Sequence, residues 1–82
     1  MIELIFKLEQ YDFLCKYVPE IKEYEKNRMV EEGKVKLDMK KDDFYQFQDD
    51  YNDSIIYYGM DNYDTVNKIG IELYAIFDEC IL

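Results

Sequence analysis

A regular apolar stripe near the middle of the chain constrains the fold more than any other feature. It consists of five side chains that follow one another in steps of three, four, four and three residues: Phe44, Phe47, Tyr51, Ile55 and Tyr58. Side chains at that spacing lie on one face of an α-helix, and such a face has to be buried against other elements. The stripe therefore predicts an amphipathic helix over about residues 41–59, which Gly59 ends.

Two shorter segments alternate apolar and polar residues, which is the pattern of half-buried strands. The first is built on Leu4, Phe6 and Leu8, and the second on Val35, Leu37 and Met39. Gly33 predicts a turn just before the second strand. Because two strands alone are marginally stable, we expect helices to cover their apolar side.

The remaining segments favour helices. After the first strand, four apolar residues lie at helical spacing: Tyr11, Leu14, Cys15 and Val18. Pro19 breaks or restarts a helix, and a weaker amphipathic pattern predicts that helix continues beyond it to about Met29. Asp61, with Asp64 three residues later, resembles a capping box and predicts the start of a last helix. The apolar seam of that helix is Val66, Ile69, Leu73, Ile76, Phe77 and Cys80.

Together these patterns predict an α+β fold. We expect a small single domain over residues 1–82, with two short strands covered by three to four helices and a C-terminal α-hairpin. Apolar residues make up 49% of the chain, which is enough for a core and argues against disorder.

Negative charge is concentrated in one third of the chain. Residues 42–67 contain no lysine or arginine and seven aspartates: Asp42, Asp43, Asp49, Asp50, Asp53, Asp61 and Asp64. This stretch therefore contributes −7 of the net charge of −9, whereas residues 1–41 sum to zero. A concentrated negative field attracts basic partners and repels nucleic acid, so we expect a basic protein partner and no direct contact with nucleic acid.

The sequence lacks the residues of the common catalytic and metal sites. It contains no histidine, no CxxC motif, no phosphate-binding loop and no nucleophile elbow. The segment from Asp61 to Glu72 has acids at the first and last positions of a calcium loop, but Val66 stands where that loop requires glycine. We therefore predict a protein that is not an enzyme and that binds no metal or cofactor.

The N-terminal residues do not resemble a signal peptide, and no apolar run reaches the length of a membrane span. We therefore expect a cytoplasmic protein with no membrane contact. Cys15 and Cys80 are the only cysteines, and we expect both to be reduced core thiols.

The acidic residues of the predicted helix form the candidate binding site. Asp42, Asp49 and Asp53 fall on the side opposite the apolar stripe, and Asp50 flanks them. The row rises about 16 Å, which would match roughly five phosphates of a nucleic-acid strand. Tyr57 lies next to this row and would add an apolar contact. The simpler interpretation of the acids is a solvated helix face. We expect Tyr45, Tyr57 and Tyr63 to be at least partly exposed, with Ile56 close to Tyr57 on the acidic side. These rings would either anchor a protein partner or pack against the first helices.

In length, acidity and lack of catalytic residues the chain resembles the small acidic inhibitors encoded by bacteriophages and mobile elements. Anti-CRISPR proteins, anti-restriction proteins and inhibitors of uracil-DNA glycosylase are examples. They share a strategy rather than a sequence motif, so the resemblance assigns no individual residue. It implies a non-enzymatic inhibitor that occupies the basic nucleic-acid-binding groove of a host defence protein or of a DNA- or RNA-processing protein.

Two other functions are compatible with the same patterns. An immunity protein that neutralises a basic toxin would also present acids, so charge does not separate it from an inhibitor. The third hypothesis is a structural or adaptor protein that forms a homodimer through the C-terminal apolar seam.

Overall fold

Three antiparallel strands, β1 (Ile2–Lys7), β2 (Lys26–Glu31) and β3 (Lys34–Met39), form a sheet in the order β1–β3–β2. The computed structural model describes residues 1–62 and 65–81. The helices are α1 (Leu8–Tyr17), the single turn α2 (Ile21–Tyr24), α3 (Lys41–Gly59) and α4 (Lys68–Ile76). A π-helical turn, Phe77–Ile81, follows α4 directly. The α+β class is confirmed.

The apolar residues of β1 and β3 face inward as predicted. Leu4 and Phe6 of β1, and Val35, Leu37 and Met39 of β3, are buried. Leu8 is an exception, because it is the first residue of α1 and is half-exposed. The helices supply the other side of one core that draws residues from Leu4 to Ile81.

The second strand of the sheet, β2, was not predicted. Its residues had been expected to continue a helix to about Met29, but α2 is a single turn and Glu25 is already extended. Asn27 then has a φ of 56°, which interrupts a helix. Glu32 and Gly33 both have positive φ and form a two-residue turn of the kind that joins hairpin strands. Pairing with β3 therefore decides the structure of this segment, and the predicted two strands become three.

The start of the last helix was also placed wrongly. Asp61 lies in a short strand, β4 (Met60–Asp61), which pairs with β5 (Thr65–Val66), and Asp64 lies outside the described residues. The residue that caps α4 is Asn67, whose side-chain oxygen accepts a hydrogen bond from the backbone N–H of Gly70 at 3.0 Å. A small polar side chain at the N-cap satisfies a donor that the helix itself leaves unpaired.

The C-terminal seam is internal. Leu73 and Ile76 are fully buried, and Ile69, Phe77 and Cys80 pack partly buried against the same core, although Val66 is half-exposed. In addition, the buried Tyr51 hydroxyl of α3 donates a hydrogen bond to the backbone carbonyl of Leu73. The seam therefore packs α4 against α3, and most of its residues lie in the core. Cys15 and Cys80 are free thiols, each partly buried.

Candidate protein-interaction surface

Three aspartates form an exposed row on α3. Asp42, Asp49 and Asp53 are all exposed, on the side of the helix opposite the buried residues Phe44, Phe47, Tyr51 and Ile55. The eleven positions from Asp42 to Asp53 rise about 16 Å along the helix axis. We call these three residues the acidic row.

Among the described residues, no basic side chain forms a salt bridge with the acidic row. The salt bridges formed within the described residues are Arg28–Glu25 at 3.5 Å and Lys36–Glu3 at 3.3 Å, and neither involves α3. Asp49 and Asp53 are also one helical turn apart, where like charges repel. Local electrostatics therefore does not explain the acidic row, although Asp42, in the first turn, does complement the helix dipole.

Asp50 has a structural role that the sequence did not reveal. The hydroxyl of Tyr24 donates a hydrogen bond to its carboxylate at 2.7 Å, and Nε2 of Gln46 donates another at 3.2 Å. The bond from Tyr24 fixes α2 against α3. It also raises the pKa of Tyr24 to about 12, with a smaller effect of desolvation, because loss of the phenolic proton would place a second negative charge beside Asp50. Asp50 therefore has mainly a structural role, and it contributes less to the candidate binding surface than the acidic row does.

Four aromatic rings pack in a row that runs from α1 to the end of α3. Ring centroids are 4.7 Å apart for Phe13 and Tyr17, 5.4 Å for Tyr17 and Tyr58, and 4.6 Å for Tyr58 and Tyr57. These spacings are those of favourable aromatic pairs, most with one ring edge towards the next face. Tyr57, the last ring, is 78% exposed. It is thus an exposed ring supported from behind, and its exposure agrees with the prediction.

Tyr58 differs from its prediction. It had been assigned to the buried stripe of α3, but it is 41% exposed. Its ring packs against Tyr17 and Tyr57, and it is not part of the buried core. Tyr45 and Ile56 are exposed as expected, and Tyr63 lies outside the described residues.

The aromatic rings and the acids together line a shallow groove of about 320 Å³ between α2 and α3. Its lining residues are Glu20, Asp50, Asp53, Ser54, Tyr57 and Tyr58. Oε2 of Glu20 is buried there and accepts no hydrogen bond from the residues that the structure describes. A buried carboxylate oxygen is costly unless a donor satisfies it. The groove is therefore suited to a cationic or hydrogen-bond-donating group.

Glu20, Ser54 and Tyr58 were missed at the sequence level. Glu20 lies just before a one-turn helix, and no periodic pattern links it to residues more than 30 positions away. The two α3 residues belong to the side of the helix that had been assigned to the core. Only the packing of α2 on α3 brings the three together, so the sequence carried no local signal for the groove.

The polar groups of this surface lie along a convex helix face and in an open groove, where they can contact a basic or hydrogen-bond-donating group of another molecule. Within residues 1–62 and 65–81 no group of three or more potential ligands is placed to hold a metal ion. Over the same residues, no helix is both long and apolar enough to cross a membrane.

Comparisons with known proteins identify no relative. The sequence matches no family model, no curated protein and no solved structure.

Proposed function

We propose that this protein is a non-enzymatic acidic inhibitor that binds the basic nucleic-acid-binding groove of another protein. The observation that carries the proposal is the acidic row, Asp42, Asp49 and Asp53. It is exposed, it forms no salt bridge with any residue that the structure describes, and it lies near the supported ring of Tyr57. In this proposal the carboxylates take the place of phosphates. The target is a host defence protein or a DNA- or RNA-processing protein, as for anti-CRISPR and anti-restriction inhibitors.

The spacing of the row supports this choice of partner. Phosphates follow one another every 3.4 Å along a duplex strand, so a row about 16 Å long spans roughly five of them. Lysine and arginine side chains that grip phosphates would form charge-assisted hydrogen bonds with the carboxylates. Because the row lies on one rigid helix, little side-chain or backbone ordering is needed on binding.

The groove beside the row adds a more specific contact. Asp53 belongs to both features, so a basic side chain that meets the row at this point also reaches the groove. There the rings of Tyr57 and Tyr58 offer cation–π contact, and the carboxylates of Glu20 and Asp53 line the groove as acceptors. We expect one arginine or lysine of the partner to enter the groove while others contact the row.

The experiment is capture of binding proteins from a host lysate at low and at high salt, followed by mass spectrometry. Three proteins are compared: the wild type, Asp49→Lys/Asp53→Lys, and Glu72→Lys/Asp78→Lys. The last has the same change in net charge but alters exposed acids of the C-terminal segment. We expect a nucleic-acid-binding protein on the wild type and on this control. Its recovery should fall at least about tenfold with salt and with the Asp49/Asp53 variant.

Equal loss in both charge variants would show that net charge, and not the acidic row, causes binding. Retention of the target by Asp49→Lys/Asp53→Lys would overturn the proposal. Tyr57→Ala separates the contribution of the aromatic ring from that of the acidic charges, because it removes the ring without changing charge. It should weaken binding without changing the dependence of binding on salt. Recovery of a basic toxin in place of a nucleic-acid-binding protein would instead support the immunity function.

A further inference from the structure

The outer edge of β2 is an exposed strand edge that carries apolar side chains. Within the described residues β2 has β3 on one side only, so its other side presents unpaired backbone N–H and C=O groups. Met29 and Val30 lie at the middle of this edge, and each is 59% exposed. Edge strands are usually protected by charge, bulges or covering segments, because they are ready to pair with another strand.

Part of β2 does carry such protection. Its register with β3 shifts between Lys26 and Met29, and Asn27 has positive φ, so the first half of the strand is irregular. From Met29 to Glu31 the pairing with β3 is regular. The regular part of the edge is therefore short, and it is also the apolar part.

The apolar edge continues onto the outer face of the sheet. Lys36 of β3 is opposite both Ile5 of β1 and Met29 of β2, so the three side chains cross the sheet in one row. Ile5 is half-exposed, and it contributes with Met29 and Lys36 to a shallow groove of about 260 Å³. A strand added beside β2 would extend this partly apolar surface.

The charges along β2 indicate what would pair with it. The strand begins with Lys26 and Arg28, continues with the apolar pair Met29 and Val30, and ends with Glu31 before Glu32 in the turn. In an antiparallel pair of these strands centred on Val30, the basic residue Arg28 of each copy meets Glu32 at the acidic end of the other. The edge is therefore complementary to an antiparallel copy of itself.

We propose that β2 pairs antiparallel with β2 of a second copy, which joins two three-stranded sheets into one of six strands. A two-fold axis through Val30 pairs the regular residues Met29–Glu31 with one another, so that Val30 lies opposite its counterpart and Met29 opposite Glu31 of the other copy. Met29 and Glu31 have the same parity, so their side chains lie on the same face of the sheet, as antiparallel pairing requires. Just outside this regular part, the axis brings Arg28 near Glu32 of the other copy, which lies in the turn after the strand.

This surface is separate from the acidic row and does not depend on the proposed inhibitory function. None of its residues lines the groove between α2 and α3. The dimer would present two acidic rows, one from each copy. The contact is short, so we expect a weak dimer that forms as concentration rises.

The test is sedimentation velocity of the full chain over a wide concentration range, with amide hydrogen exchange at both ends of the range. The wild type should dimerise, and the amides of Met29–Glu31 should gain protection with concentration. Val30→Lys places two lysines opposite each other and should weaken the dimer at least about tenfold. Ile71→Lys is the matched control, because it introduces lysine at an equally exposed apolar residue of α4 and should leave association unchanged.

Exchange of the charges supplies a second test. Arg28→Glu and Glu32→Lys should each weaken self-association, whereas an equal mixture of the two variants should associate, because both Arg28–Glu32 positions are then complementary. Circular dichroism verifies folding of Arg28→Glu, since Arg28 also donates to the Tyr11 hydroxyl at 2.7 Å. A monomer at every concentration, equal weakening by Val30→Lys and Ile71→Lys, or no recovery in the mixture of folded variants would overturn the proposal.

Discussion

Gly59 and Gly70 mark the closest approach of α3 and α4, and replacing Gly70 by alanine gives the sharpest test of how these helices are held. A Cβ atom at Gly70 would lie 2.8 Å from Cγ1 of Val66 and 3.0 Å from the backbone carbonyl carbon of Gly59, with the Gly59 oxygen closer still. That oxygen also accepts a hydrogen bond from the N–H of Asn67 at 2.9 Å. The obstacle is therefore mainly backbone, which cannot rotate away.

Two effects of opposite sign compete in Gly70→Ala. Alanine is the better helix former by about 1 kcal/mol, and an exposed site would gain that amount. Ordinary carbon contacts are about 3.5–4.0 Å, so the helices must separate by roughly 0.5–1 Å, which forfeits a quarter to a half of the dispersion energy of the affected contacts. Overpacking of this kind costs about 1–3 kcal/mol, and somewhat more where backbone is the obstacle. We expect a net loss of about 2 kcal/mol.

Thermal and urea unfolding followed by circular dichroism measure this loss. A change of about 2 kcal/mol should lower Tm by roughly 8–16 °C in a domain of this size. Ile71→Ala, at the exposed neighbouring residue of α4, should shift Tm much less. If Gly70→Ala unfolds at the same temperature as the wild type or above it, helix propensity prevails and the close approach of α3 and α4 is refuted.

Three further predictions concern polar groups with identified partners. Burial raises the pKa of Tyr51 far above the ordinary tyrosine value. The protonated Tyr51 side chain therefore stabilises the fold fully below about pH 10. Above that pH the free energy of unfolding falls by up to about 1.4 kcal/mol per pH unit. Tyr51→Phe should flatten this alkaline loss in urea titrations, and an unchanged slope would contradict the assignment. Asp50→Ala should cost about 1 kcal/mol more than Asp53→Ala, because only Asp50 accepts the Tyr24 hydroxyl; equal melting temperatures would remove that distinction. Asn67→Ala should cost about 1–2 kcal/mol in the same melts by removing the cap of α4, and no measurable loss would refute the cap.

The sequence predicted the elements whose apolar pattern is long and regular. The helix over residues 41–59 is α3, because an apolar stripe that continues over about four turns has one geometric solution. The strand pattern of Val35, Leu37 and Met39 is β3, the centre of the sheet. In both cases the burial of one face follows directly from the spacing of apolar residues, without knowledge of what covers it.

Elements that depend on distant partners were not predicted. The six residues of β2 are strand because β3 offers hydrogen bonds and because Glu32 and Gly33 make a tight turn. The position of Asp61 resembled a helix cap, but Asn67 performs that role after the short β4–β5 hairpin. Such choices depend on tertiary contacts that override local preference.

The structure also separates aspartates that serve the fold from those that do not. Asp50 holds α2 through Tyr24, and Asp42 faces the positive end of the α3 dipole. Asp49 and Asp53 neither hold another element nor face the positive end of the helix dipole, and their mutual repulsion costs the helix about 0.2–0.5 kcal/mol. Replacing them with glutamine should therefore stabilise the helix slightly while weakening binding to a basic partner. Under the proposed function, the same two side chains lower stability and raise affinity for the partner, which is the pattern expected when function rather than folding maintains them.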